Sequence, residues 1–199
     1  ETREEFAKDS RWPAFFPVPL SLITTSDGTQ VALEKEVGAS IVNRFPYVIA
    51  LSFCRENLSQ RHHTRQKFTE ILERGGGVAV QFLPPGPDLN AAMAAIGSTT
   101  DSEASSRIAQ TGLGVRRAIS NDAPVFDAAY MVYEARLVQP SKDFAGRPIY
   151  QTPWKDVGSH RVYFLEINAI QLRDDVAHGD SQIAWRSLPA WSPQFEVPA

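Results

Sequence analysis

The segment PLSLITTSDGTQVALE (residues 19–34) sets two β-rich runs on either side of an Asp27-Gly28 pair. Asp-Gly supplies the backbone freedom a tight reversal needs, and Ile, Val and Thr pack well on a pleated surface. The segment therefore predicts a β-hairpin, which commits the chain to antiparallel pairing. Further β-rich runs follow: YVIALSF (47–53), VAVQFL (78–83), AAYMVYEARLV (128–138), HRVYFLEINAIQL (160–172) and a short QIAWRSL (182–188). Between them, QRHHTRQKFTEILER follows an N-cap at Ser59, carries Phe68, Ile71 and Leu72 at helical spacing, and is stopped by Gly75-Gly76-Gly77. After the breaker cluster PPGPD (84–88) come the alanine-rich LNAAMAAIG and a helical stretch near 102–111. The strict strand–helix alternation of a doubly wound sheet is missing. The expectation is a mainly β fold, a barrel with helical insertions. GLGVRR (112–117) lacks the third glycine of a dinucleotide fingerprint and reads as a turn. The stretch holding Pro140, Gly146, Pro148 and Pro153 reads as a polar loop.

Length suits one substantial domain, here 17–188, with an N-terminal arm (1–16) docked through Trp12, Phe15 and Phe16, and a C-terminal tail (189–199). A formal charge of −3 argues against general nucleic-acid binding, while leaving room for a local basic site. The longest strongly apolar run, Tyr47 to Cys54, falls far short of the ~20 residues a membrane helix needs. Cys54 is the single cysteine, so no disulfide and no CxxC pair can form, and its apolar setting predicts a buried, inert thiol. With no basic-then-apolar leader at its start, the chain is expected to be cytoplasmic.

The most concentrated chemistry is SQRHHTRQKF (59–68). His62 and His63 point about 100° apart on a helix and do not easily face one metal, and no further ligands suggest themselves, so no metal site is expected. A helix start is different. Its unpaired N–H groups and positive dipole end make an anion site, to which Arg61, His63, Thr64 and Arg65 add charged and hydroxyl donors. The alternative is a solvated basic helix face.

A series of segments, in order, resembles the flavin reductase-like family of FMN-binding split-barrel flavoproteins. FPVPLSLITTSDGTQVAL resembles its opening proline, Thr-Thr pair and Asp-Gly hairpin, and GASIVNRFPYVIALSF its serine-containing loop and apolar strand ending near a serine. RHHTRQKFTEILERGGGVAVQF resembles the helix start that meets the flavin phosphate; AAIGSTTDSEASSRIAQTGL the Gly-Ser segment; and APVFDAAYMVYEARL a Glu-bearing strand. GSHRVYFLEINAIQL resembles the Gly-x-His strand start, and IAWRSLPAW the closing strand. The resemblance implies FMN, or FAD in its place, contacted by Ser40, Ser52, Arg61, His63, Thr64, Arg65 and Ser98. It implies His160 near the nicotinamide or substrate face of the flavin, against the alternative of a strand-end structural histidine. It also implies a homodimer. One departure stands out: Glu34-Lys35-Glu36-Val37 occupies a place where many relatives put small or hydroxyl residues along the ring. These four either line the flavin or form a charged loop in water.

The function implied is NAD(P)H-dependent flavin reduction, with nicotinamide a transient hydride donor and reduced flavin or electrons passed to a partner oxygenase. Such chemistry asks the protein mainly for placement, which suits a chain with no triad or metal motif. The competing readings are a tightly bound FMN protein that does not use NAD(P)H (electron carrier, sensor or specialised oxidative enzyme) and a flavin-free interaction module.

Overall fold

The computed structural model describes residues 20–36, 39–44, 46–54, 62–98, 104–143, 145–158 and 160–177. The arm, the tail and the strand expected over 182–188 lie outside them. The Asp27-Gly28 reversal joins β1 (Ser21–Ser26) to β2 (Val31–Glu36), in register from Ser26 opposite Val31 to Ser21 opposite Glu36. The Asp27 carboxylate accepts hydrogen bonds from the Gln30 N–H at 2.8 Å and from the Thr29 hydroxyl at 2.8 Å and N–H at 3.0 Å. In that order these donors pull its pKa down to about 2.

The chain continues through β3 (Ser40–Arg44), β4 (Tyr47–Cys54), α1 (His62–Glu73), β5 (Gly77–Phe82), α2 (Pro87–Ser98) and α3 (Ala104–Gln110). Then follow β6 (Val115–Arg117), β7 (Pro124–Phe126), β8 (Met131–Leu137), β9 (Ser141–Lys142), β10 (Pro148–Ile149), β11 (Trp154–Val157), β12 (His160–Leu172) and α4 (Asp174–Ala177). The main sheet is antiparallel in the order β2–β1–β5–β8–β12–β4–β3, with β11 also on β12. Ile23 and Ala32 from one end of that order share a core cluster with Ile49, Leu51 and Phe53 from the other. The sheet therefore curls on itself, while its end strands β2 and β3 do not pair. This is a split barrel of mainly β structure with helical insertions, as expected.

Helix α1 fills the barrel, with Phe68, Ile71 and Leu72 wholly buried among those strands. Each such side chain contributes about 2–3 kcal/mol by leaving water. The helix ends where Gly75, at φ +94°, takes the left-handed position, donating to Leu72 O at 2.9 Å while Gly76 donates to Ile71 O at 3.0 Å. Alternate residues on the outer face of β1, β2, β5 and β8 (Leu22, Leu33, Ala79, Val132) meet a second core supplied by α2, α3 and the β6–β7 hairpin, with Leu89, Ala92, Ile96, Ile108, Val125 and Phe126. Burial on both faces explains why β1 and β5 are buried throughout.

Three segments differ from the sequence reading. GASIVNRF contains an edge strand, β3, paired from Arg44 opposite Tyr47 to Ser40 opposite Ala50. GLGVRR is a turn only at its start, since Val115–Arg117 pairs with Pro124–Phe126. The polar loop holds β9, β10 and β11.

The β6–β7 hairpin is fastened to the sheet by buried polar groups. Gln81 donates to Thr24 Oγ1 and to Pro124 O, both at 3.0 Å, and accepts from Phe126 N–H at 2.7 Å. Asn121 donates to Val78 O at 3.2 Å, packed so closely over Gly77 that a Cβ there would lie 2.4 Å from the Asn121 Cβ. Glu134, fully buried on β8, accepts from the Ile119 N–H at 2.9 Å, from the Ser120 hydroxyl at 2.7 Å and N–H, and from the Gln171 amide. Burial alone would raise its pKa, but the Ile119 N–H, the two Ser120 donors and Gln171 outweigh that and hold it below its ordinary value.

Glu134 therefore stabilises the fold fully above the ordinary carboxylate range of about 4–5, and this contribution fades as pH falls through its lower folded pKa. Glu134→Leu removes the acceptor of the Ile119, Ser120 and Gln171 donors and should cost about 2 kcal/mol in urea unfolding at pH 7. The variant's deficit should shrink below pH 4; a deficit constant from pH 7 to pH 3 would show that the carboxylate's charge is not what holds the hairpin.

Candidate functional site

Antiparallel register decides which of the expected site residues share a surface. Along β12 and β4, Phe164 faces Ala50, Val162 faces Ser52 and His160 faces Cys54. The alternate residues Tyr163, Leu165, Leu51 and Phe53 belong to the barrel core, so the first set lies on the outer face. Strand β3 extends the same row, with Ser40 opposite Ala50. Three residues separated by up to 120 positions, Ser40, Ser52 and His160, thus come to one face. Ser40 and His160 are exposed there, and Ser52, Val162 and Phe164 half-buried. Unlike the outer face of β1, β2, β5 and β8, this one mixes hydroxyl, imidazole, aliphatic and aromatic groups.

At one end of the row β4 finishes at Cys54, beside His160, and the chain next enters α1 at His62. His63, Thr64 and Arg65 lie in the first turn of α1, whose N–H groups have no helical carbonyl to bind. Arg61 lies outside the described residues. Backbone N–H groups at a helix start suit an anion such as a phosphate ester, while the side chains of His63, Thr64 and Arg65 lie outside the described residues.

A polar cluster beside His160 was not foreseen. Arg161 on β12 forks onto Asp156 of β11 at 2.7 and 3.2 Å and reaches Glu73, the last residue of α1, at 3.0 Å. The Tyr163 hydroxyl donates to the same Glu73 oxygen at 2.6 Å, and the Arg161 guanidinium sits 5.5 Å from the Trp154 ring centre. Burial first, then the Glu73 carboxylate, drives the Tyr163 pKa well above its ordinary value, so it remains a donor. The cluster ties the β11–β12 hairpin, whose turn leads to His160, to the helix that carries the basic start. Residues 73, 156 and 161 are too far apart in sequence for spacing to reveal this.

Other expected contacts go elsewhere. Glu34, Lys35 and Glu36 are strand, not loop. Glu34 is buried and paired with Arg107 of α3 at 3.3 Å, both side chains being at most 6% exposed. Arg107 also reaches Leu33 O at 3.5 Å. Lys35 faces solvent, and Val37 lies outside the described residues. Ser98 ends α2, the helix laid on the second core, and its side chain lies outside the described residues. Among the described residues no group of three or more His, Cys, Asp or Glu could hold a metal ion, and no helix is long and apolar enough to cross a membrane.

The Glu34–Arg107 pair carries its own test. Arg107→Met removes a guanidinium from a buried carboxylate and should cost about 3–5 kcal/mol, whereas Arg107→Met with Glu34→Leu should recover most of it. Chemical denaturation measures both. A single variant within about 0.5 kcal/mol of wild type would mean that water screens the pair.

No protein-family model and no curated protein matches the chain. Among solved structures the fold is shared with flavin reductase-like proteins at low sequence identity. A nitrilotriacetate monooxygenase component B from Mycobacterium thermoresistibile superposes with a TM-score of 0.61 at 14% identity, over 83% of this chain and 75% of that one. The flavin reductase HpaC, solved with NADP+, gives 0.56 at 14% over 80% and 81%. An FMN-binding protein from Thermus thermophilus gives 0.53 at 12% over 81% and 74%. The architecture is that of the FMN-binding split barrel.

Proposed function

We propose that this chain is an FMN-binding flavin reductase that takes hydride from NAD(P)H. The observation that carries the reading is the register that sets Ser40, Ser52 and His160 on one outer face. The resemblance of those same positions to the flavin reductase-like family, and the shared fold, support it. Arg61, His63, Thr64 and Arg65 hold the phosphate; the Ser40 and Ser52 hydroxyls orient the ring edge; His160 positions the nicotinamide. Bound FMN supplies a ring that accepts hydride at N5. The residues supply placement and a shielded face, and no protein nucleophile is required. The reading extends to a homodimer and to supply of reduced flavin or electrons to a partner oxygenase. A resident FMN that never meets NAD(P)H is less favoured, because Glu34, the first of the four residues that pointed that way, is engaged with Arg107.

Purified protein loaded with FMN should be yellow and should bleach with NADH or NADPH without oxygen; yellow protein that neither donor bleaches defeats the reductase reading. Arg61→Ala or Thr64→Ala should weaken FMN by about five- to 150-fold while riboflavin, lacking the phosphate, changes little. Equal losses for both flavins would return these residues to a solvated helix face. His160→Ala should slow anaerobic reduction about tenfold to hundredfold with FMN affinity nearly intact. Unchanged hydride-transfer kinetics in a stable, FMN-loaded variant would remove its positioning role.

A further inference from the structure

Tyr150, just after β10, is the one described residue other than glycine with positive φ, at +49°. A side chain in the left-handed region is disfavoured by contact of its Cβ with the backbone, so the surroundings must impose it. They do so from both sides. Upstream, Ile149 pairs with Ser141, and the intervening turn is closed by Asp143, which accepts from Arg147 N–H at 2.8 Å and Nε at 2.6 Å. Downstream, Pro153 O accepts from Phe164 N–H at 2.8 Å. The result lays the Tyr150 ring 5.4 Å from that of Phe164, inclined at 44°. Glycine would satisfy this backbone without strain, yet the chain carries a large aromatic.

Phe164 belongs to the outer row that holds Val162 and His160, on the rung shared with Ala50 and Ser40. It lies four residues, or about 13 Å, along β12 from His160. A flavin seated on this outer face, as the functional reading has it, lies over the row that includes this rung. Two half-buried rings there offer an apolar wall with a phenolic edge. The Tyr150 ring is half-buried, and that burial raises its phenol pKa.

We propose that Tyr150 is a flavin-ring contact, its left-handed backbone serving to hold the phenol against Phe164 as one wall of the isoalloxazine site. The proposal rests on the FMN-binding part of the functional reading and not on hydride transfer. It makes Tyr150 the converse of the basic helix start, since a ring contact is blind to the phosphate.

Tyr150→Gly and Tyr150→Asn, both compatible with the left-handed backbone, should weaken FMN and riboflavin alike by about tenfold. Fluorescence of the bound flavin should rise as a quenching ring is withdrawn. Tyr150→Phe should match wild type within about twofold in both. Unchanged affinities and fluorescence in either folded variant, or a loss confined to FMN, would overturn the assignment. Wild-type protein that binds neither flavin overturns it together with the functional reading. Wild type that binds FMN but is not bleached by NAD(P)H ends the reductase reading alone, and the fluorescence comparison still decides Tyr150.

Discussion

Strand β12 holds the molecule together because it is longer than any partner. Over its 13 residues one edge pairs with β4 through the first half, while the other pairs with β11 and then with β8. Two sheet segments that would otherwise be separate are thereby joined through one backbone. The register shift between Ile167 and Ala169 places Asn168 as an extra residue at the crossover. A bulge there increases local twist and bends the strand. That bend lets Leu165 face the same interior as Ile23 and Val80, and so allows a single sheet to enclose helix α1.

The two ends of that enclosed helix have different duties. Its C-terminal end is fixed by the Gly75 cap and by Glu73, which receives both Arg161 and Tyr163. Its first turn carries N–H groups that no helical carbonyl can bind. Fixing one end of a rigid helix fixes the direction of the other. The Arg161 cluster therefore acts on placement of the basic start, although its members touch only the opposite end. Such half-exposed ion pairs contribute modestly to stability, so their worth lies in geometry.

Local chemistry made the hairpin, the helix and the long strands legible: Asp27-Gly28 for the reversal, Phe68, Ile71 and Leu72 for the buried stripe, Gly75 for the stop. Strand β3 was hidden because SIVNR has two adjacent apolar residues rather than an alternation, and an edge strand with exposed side chains imposes no pattern. Strands β9 to β11 were masked by the prolines and glycine around them. Glu34 misled for another reason. A carboxylate in a run of charges reads as solvated, and only a cation 73 positions away, on α3, makes its burial tolerable. The Glu134 side chain, bonded to residues 14, 15 and 37 positions away, is of the same kind. Of the expected site, register brings Ser40, Ser52 and His160 to one face, whereas Glu34 pairs with Arg107.

The barrel's two outer faces are not equivalent, and the difference follows from side-chain type. On β1, β2, β5 and β8 the outward residues are Leu, Ala and Val, which must be covered, and α2, α3 and the β6–β7 hairpin cover them. Their polar exceptions, Thr24, Gln81 and Glu134, are each bonded to the covering hairpin. On β3, β4 and β12 the outward residues alternate hydroxyl, aliphatic, aromatic and imidazole. Such a face is too polar to be sealed under a helix without stranding donors, and too apolar to gain much from water. It suits a ligand with an apolar ring and a polar rim. Tyr150, held in a left-handed backbone, lays its ring against Phe164 on that face.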